Sequence, residues 1–360
     1  MLRMLQPDET GYFDTLIANS TGPEFAQTTA WARFKSQSWH PRHYLYEQTG
    51  EPVIAITIWL RKIPLLPYYL AYAPRGPVLL TAAGESVLPE FWSALQAELR
   101  RQGAFALKVD PAWTDDLLAE QLKLLGFRPV KSDHPFGGVQ PKFTFRLDIG
   151  AEPDELLASI PKKIRYNIRY PEKNGVVYRQ GTTADVPDLM AVLQDTSRRK
   201  GFLGRNAAYY ERLLEVMGDQ AALIIGSKDG QVVAASITIV CGRQAWAVYG
   251  GMMREFSQLR AYYGLNWQRM LWAKSKGATS FDFSGVPVDQ SETSPLYGLY
   301  QFKKSFGGDL VEFIGEYELP VRPFLYWCWQ TFAPGLMKMM KWLAARGRGR
   351  QDAAAGDELE

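Results

Sequence analysis

Histidine and cysteine are scarce in this sequence. Its 360 residues hold three histidines, His40, His43 and His134, and two widely separated cysteines, Cys241 and Cys328. No HExxH pattern and no paired-cysteine spacing occurs, which argues against a zinc site and against a disulfide framework. The reading is therefore of a chain without metal or cofactor, suited to a reducing compartment. Long apolar runs are missing as well. The longest candidate, Val53 to Leu60, stops at Arg61-Lys62, well short of the ~20 apolar residues of a spanning helix. The opening MLRMLQPDETGYFDTL lacks the apolar stretch of a signal peptide. Together these absences predict a cytoplasmic protein. The net charge is only +3, too small for a dedicated nucleic-acid binder. DNA is not an expected partner, and any RNA contact must come from a local patch. No sustained heptad segment occurs, so a long coiled-coil hairpin is excluded.

What is present is the mix of a folded globular protein. Hydrophobic residues make up 46% and charged residues 22%, with 11 Trp, 18 Tyr and 18 Phe. In the first half, an N-terminal helical region precedes strands around His43 to Glu47, Val53 to Trp59 and Tyr68 to Ala73. A turn falls at Thr49-Gly50. A helix follows with Leu88, Phe91, Trp92, Leu95 and Leu99 on one face, Ser86 as N-cap and Pro89 in the first turn. AFALKVDP then reads as a buried strand.

The second half has the same order. Asp185 is read as the cap of a helix carrying Leu189, Val192 and Leu193, and Asn206 as the start of another. AALIIGS, VVAASITIV and QAWAVYGGM are strands, with turns at Asp229-Gly230 and Cys241-Gly242. The helix GLNWQRMLWAKSKG leads into TSFDFSG. RRQGAFALKVD and AKSKGATSFDFSG share one pattern of basic helix end, Gly-Ala, apolar strand and Asp, a weak internal repeat supported by element order. The fold class that follows is α+β: two tandem GNAT-like acyltransferase domains with a cleft between them. The boundary is placed near Gly150. Residues 1–150 plus about 318–345 would form one domain and 151–317 the other, with 346–360 a basic, polar tail.

Several segments, in order along the chain, resemble the Fem family of peptidoglycan bridge-forming transferases, in its short form without a coiled-coil insertion. They are FAQTTAWARFK, AYAPRGPVL, VQPKFTFRLDI, SIPKKIRYNIRYPEKNGV, WAVYGGM, FDFSGV and YGLYQFKKSFGGDLVEFIGEYELPV. The resemblance implies transfer of a small amino acid (Gly, Ala or Ser) from aminoacyl-tRNA to the stem-peptide amine of a peptidoglycan precursor, either lipid II or UDP-MurNAc-pentapeptide. The donor ester is already activated. Positioning and electrostatic stabilisation of the oxyanion then supply the rate, without a metal or a covalent nucleophile.

Lys303 matches a family active-site lysine that would stabilise the oxyanion or hold the tRNA 3′ end. Phe302 beside it would stack on the terminal adenosine or belong to the core. Tyr249 would line the cleft or be a core tyrosine. Lys35 and Arg205 match positions that bind the precursor's phosphates, where charge-assisted bonds favour Lys and Arg. Tyr72 and Arg75 sit in the loop expected to line the cleft. Asp110 closes the first half's last strand, where it would act as a base or cap a turn.

Lys162, Lys163, Arg165 and Arg169 form the densest basic run. Spacings of three and four put Lys162, Arg165 and Arg169 on one helix face, suited to tRNA phosphates. Pro171 is expected to end that helix. Near the C-terminus, Leu336, Met339, Met340 and Leu343, with Trp327, Trp329, Trp342, Lys338, Lys341 and Arg346, suit contact with an anionic membrane surface or a closing helix. Two other functions fit the class. One is an acetyl-CoA-type N-acyltransferase, although neither RGPVLLTAAGES nor REFSQLRAYYG makes a good pyrophosphate cradle. The other is a non-catalytic precursor-binding protein at the membrane surface.

Overall fold

The strands fall into two successive series, which build two sheets with one strand crossing over from the second series to the first sheet. A computed structural model describes residues 1–332, apart from 38, 65, 201–204 and the side chains of 198–200. The C-terminal residues from Leu336 onward, including Trp342 and the basic tail, lie outside the described residues.

The first series is β1 (Leu2–Met4), β2 (His40–Gln48), β3 (Glu51–Lys62), β4 (Tyr69–Arg75), β5 (Val78–Leu79), β6 (Ala104–Pro111) and β7 (Arg128–Pro129). The second is β8 (Phe143–Asp148), β9 (Val177–Gln180), β10 (Ala221–Lys228), β11 (Gln231–Cys241), β12 (Gln244–Met252), β13 (Ser280–Val286), β14 (Asp309–Glu312) and β15 (Tyr317–Pro320). Two of the three turns read from the sequence form by one device; the third falls at Gly242-Arg243, one residue later than read. Thr49 and Gly50 have φ of 50° and 89°, and Asp229 and Gly230 have 50° and 79°. Two positive φ values in a two-residue loop match the right-handed twist of the strands they join. In each half one helix, Leu88–Arg101 or Ala261–Ser275, lies in the crossover that makes the next strand parallel to the last. The parallel pairs are β4 with β6 and β12 with β13.

The first sheet runs β1-β2-β3-β4-β6-β15-β7 and the second, read from its far edge, β9-β10-β11-β12-β13-β8-β14. The orders correspond strand for strand, but the sixth strand is exchanged. β8, which follows the first series, pairs between β13 and β14. β15, which follows the second, pairs between β6 and β7. The chain therefore does not divide at Gly150: residues 143–148, expected in the first domain, are inside the second sheet. Each half completes the other.

The seam is apolar. One buried cluster joins Phe13, Ile17 and Leu45 to Cys241 and Trp246, and another joins Trp31, Phe34 and Tyr72 to Leu189, Leu213 and Ile237. Across it, Arg212 donates to the carbonyls of Phe34 and Arg33. The turn at Gly242 abuts the end of the helix Thr10–Asn19, so that a Cβ there would meet the Ala18 carbonyl oxygen at 1.9 Å.

Four local expectations need correction. The N-terminal helical region forms, as Thr10–Asn19 and Thr29–Lys35, but a short strand, β1, precedes it. Ser86 ends a single turn, Ala83–Ser86, and the long helix starts at Leu88 with Pro89 in its first turn. Thr182 supplies the cap ahead of Val186–Lys200, with Asp185 closing the capping box. Pro171 sits inside the helix Lys162–Lys173. The helix gains only two residues beyond it, and Asn174 N still reaches the Tyr170 and Pro171 carbonyls, so little of the ladder is lost.

Candidate active site

A cleft of about 850 Å³ opens along the seam. Strand ends shape it. β12 and β13 pair only from Gln244–Ser280 to Trp246–Asp282 and then part, which leaves Val248, Tyr249, Ser284 and Gly285 on its wall. From the first half, Tyr72 and Arg75 reach it from the end of β4 rather than from the loop expected, and the helix Thr29–Lys35 brings Trp31 and Lys35.

One end of the cleft is aromatic and cationic. Lys35 Nζ donates to Tyr209 Oη at 2.9 Å and lies over three rings, 5.0 Å from the Tyr209 centroid, 5.5 Å from Trp31 and 5.4 Å from Phe34. The Arg205 guanidinium lies 5.3 Å from the same Tyr209 ring. Tyr209 and Tyr249 share a hydroxyl hydrogen bond of 2.8 Å. Lys35, Arg205 and Tyr249 are thus brought onto one tyrosine. Tyr209 was not singled out in the sequence, because a helical AAYYERLL segment reads as ordinary packing.

The floor is different: it holds buried carboxylates. Asp110 accepts from Tyr72 Oη and from the Arg75 amide, both at 2.6 Å. Asp282 accepts from Thr144 Oγ1, from Arg146 Nε at 3.1 Å and from the Ser284 amide at 2.6 Å. In each half, then, a buried Asp fixes a residue in the left-handed region, with φ of 58° at Arg75 and 59° at Ser284. Such conformations cost roughly 1 kcal/mol or more and persist where surrounding bonds hold them. Burial pushes the Asp110 carboxyl up to about 6, with Arg75 and the two donors partly offsetting it. Burial and the neighbouring Asp110 raise the Tyr72 phenol well above its usual range, so Tyr72 remains a donor. Arg75 reaches over the Phe313 ring, 4.2 Å from its centroid, and donates to the Pro141 carbonyl. Asp110 itself is not among the lining residues; its oxygens are taken by Tyr72 and Arg75. The geometry makes it a group that positions the β4 end, and a turn-capping role fits better than that of a base.

Lys303 Nζ donates to the carbonyls of Ser284 at 2.9 Å and Gly285 at 2.6 Å. Its charge is fixed directly behind that wall. Phe302 packs on Tyr262, Tyr263 and Phe306, with centroids 5.4, 5.0 and 5.4 Å apart. It belongs to the second half's core rather than to a free stacking platform. Lys162, Lys163 and Arg169 are exposed on the helix Lys162–Lys173, away from the cleft lining, and Arg165 is half-buried with Nη1 on the Ala158 carbonyl. Arg260 joins this basic face over Tyr166 and Tyr170. In the helical residues 323–332, Leu325, Tyr326 and Trp329 pack against the first sheet, whereas Phe324, Trp327 and Phe332 are exposed. Among the described residues, no helix is long and apolar enough to cross a membrane.

Glu24, Arg146 and Glu316 also went unnoticed in the sequence. Arg146 and Glu316 lie in segments that carry the resemblance, but nothing local marks any of the three, and the fold buries Glu24 and Glu316 to 3% and 5% exposure.

Comparison with known proteins agrees with this architecture. The model of the FemAB family matches residues 9–229 and 225–333. Over 401 aligned positions the chain is 23% identical to the lipid II:glycine glycyltransferase of Staphylococcus aureus (strain MRSA252), covering 90% of this chain and 94% of the relative. The crystal structure of FemX superposes with a TM-score of 0.82 at 21% identity, covering 91% of this chain and 99% of that one. A tandem GNAT protein from the clavulanic acid biosynthesis pathway superposes at 0.52, with 14% identity and 89% and 98% coverage. These likenesses show a shared fold, that of paired acyltransferase-like halves.

Proposed function

This chain belongs to the FemAB family, and from that premise we propose that it transfers a small amino acid, Gly, Ala or Ser, from aminoacyl-tRNA to the stem-peptide amine of a peptidoglycan precursor. The observation that carries the reading is the two-ended cleft at the seam. Its aromatic and cationic end, Lys35 and Arg205 on Tyr209, suits the diphosphate of lipid II or of UDP-MurNAc-pentapeptide. Two adjacent cations on a rigid ring offer charge-assisted bonds to such a group. The precursor class is supported by the name of the S. aureus relative, a lipid II:glycine glycyltransferase.

The other substrate is also anionic, and a second basic surface exists for it. Lys162, Lys163 and Arg169 stand exposed on one helix of the second half, where tRNA phosphates would dock without competing for the cleft. The aminoacyl ester would then lie against the β13 end. Lys303 stands behind that wall as a fixed positive charge, its ammonium oriented by the Ser284 and Gly285 carbonyls. A preorganised charge near the developing oxyanion lowers the barrier without reorganising during the reaction. The exposed Phe324, Trp327 and Phe332 would rest on the inner membrane face, from which a lipid-linked acceptor could enter the cleft.

The test is direct. The purified protein is incubated with a panel of charged tRNAs and with either lipid-linked or nucleotide-linked muropeptide, and product mass is followed. One added amino acid on an acceptor is expected; no addition with any pair sinks the proposal. Lys303→Met should lower turnover at least ~10-fold while the protein still melts cooperatively, and unchanged turnover would remove Lys303 from the site.

A further inference from the structure

Four buried carboxylates gather at the cleft floor: Glu24, Asp282 and Glu316 line it and Asp110 lies just beneath. Three are committed to partners. Asp110 and Asp282 accept the bonds described above, and Glu316 accepts from the Val139 amide and pairs with Lys108 Nζ at 2.7 Å. Glu24 differs. It is 3% exposed and lines the cleft. Among the described residues its carboxylate accepts no hydrogen bond, and its ion contact is Arg146 Nη2 at 4.0 Å. Its oxygens face the cleft with acceptor capacity the surrounding protein leaves unused, which is where a bound amine could donate.

Its backbone is held firmly in place. Gln27 N bonds the Glu24 carbonyl at 3.1 Å. The fully buried Gln27 side chain accepts from Thr57 N at 2.7 Å and donates to the Pro74 carbonyl at 2.6 Å. The turn is thus tied to both β3 and β4. Charged and titratable groups face Glu24 from every packed strand: Arg75 of β4, Asp110 of β6, Cys241 of β11, Asp282 of β13 and Arg146 of β8. The two arginines favour the carboxylate; Asp110 and Asp282 favour the acid.

We propose that Glu24 is the group that accepts the proton from the acceptor amine as it attacks the aminoacyl ester. The inference rests on the transferase reading above and names the residue that activates the nucleophile in that cleft. The amine arrives as an ammonium, which pairs with the Glu24 carboxylate and gives it one proton, and Glu24 releases that proton to solvent before the attack. The free amine nitrogen then attacks the ester carbon, forming the C–N bond and moving the carbonyl π pair onto oxygen. A second N–H proton passes to Glu24. As the oxyanion collapses, the bond from the acyl carbon to the tRNA ribose oxygen breaks, and that oxygen takes the proton from Glu24. One ammonium and one ester become one amide, one free hydroxyl and one proton. Burial pushes the Glu24 carboxyl up to about 7, within reach of both halves of this exchange at neutral pH.

The experiment measures transfer at saturating charged tRNA between pH 6 and 8 for the wild type and Glu24→Gln. The wild type should rise and level off above about pH 7, because Glu24 supplies the base. Glu24→Gln should lose about 10²-fold in kcat at pH 7 and climb roughly tenfold per pH unit, tracking the free amine. A merely structural role would lower activity without converting the profile. Glu24→Gln with wild-type kcat and profile overturns the inference and leaves the transferase reading standing. A wild type that transfers nothing to any acceptor refutes the transferase reading, and the inference with it. Should Glu24→Gln not melt cooperatively, Glu24→Asp keeps the carboxylate. A reduced rate that still levels off supports the inference, and a profile that climbs throughout overturns it.

Discussion

Replacing Lys35 by Met removes one charge while keeping most of the side-chain stem. Lys35 is half-buried, with its ammonium 2.9 Å from Tyr209 Oη and about equally far from three ring centroids. The fold should notice little, because cation–π contacts at partly exposed sites contribute ~0.5–1 kcal/mol, and Met retains the apolar packing. Binding should notice much more. A charge-assisted bond to a phosphate oxygen contributes ~1.5–3 kcal/mol, equivalent to roughly 10- to 150-fold in Kd. Arg205→Met should cost a similar amount. The two cations share the Tyr209 ring, so if they hold one diphosphate their losses should not add. The double variant should fall short of the sum by ~0.5 kcal/mol or more. Calorimetric titration of UDP-MurNAc-pentapeptide into the four proteins, at two salt concentrations, measures all of this. A Lys35→Met affinity within twofold of wild type would refute the assignment of this end of the cleft. Additive losses would place the cations in separate subsites.

Three further outcomes follow from the same geometry. Fragments 1–150 and 151–332 should not fold alone, since each sheet needs a strand from the other half, but they should assemble when co-expressed; a cooperative melt from either fragment alone would contradict the exchange. Lys162→Glu with Arg169→Glu should raise the KM for charged tRNA and flatten its salt dependence by ~0.7–0.9 per lost phosphate contact, with precursor affinity unchanged; equal KM at all salt concentrations would detach tRNA from this helix. The buried Glu24 carboxyl holds its proton more tightly in the folded chain, at about 7 against an ordinary 4.5. Its stabilising contribution is therefore fully present below about pH 4.5 and lost as pH rises through about 7. Urea denaturation across pH 4.5 to 7.5 should show wild type losing up to about 3 kcal/mol relative to Glu24→Gln; parallel curves would mean that Glu24 is not buried as described.

Local chemistry made the repeat legible in sequence. Thr49-Gly50 and Asp229-Gly230 specify their turns by φ preference, and Leu88, Phe91, Trp92, Leu95 and Leu99 mark a helix face by period. Both signals act over a few residues and need no tertiary context. Lys35, Arg205 and Tyr249 came from motif resemblance, Tyr72 and Arg75 from their place after a strand, and all five line the cleft. Phe302 could not be read this way, since an aromatic before a lysine looks alike in a core and at a site.

Half of the strand exchange was not legible: the sequence assigns residues from about 318 to the first half, where β15 does pair, but assigns β8 there too. β7 has two residues and β14 four, too few to carry a period, and nothing local tells β8 which sheet will accept it. Nor was Glu24. An isolated glutamate between Pro23 and Phe25 becomes a buried carboxylate in the cleft wall only when β4, β8 and β13 close around it. The sequence alone determined two acyltransferase-like halves and the cations that edge their cleft. Tertiary structure decided which charges that cleft buries, because burial is a property of the seam between halves and depends on residues more than a hundred positions apart.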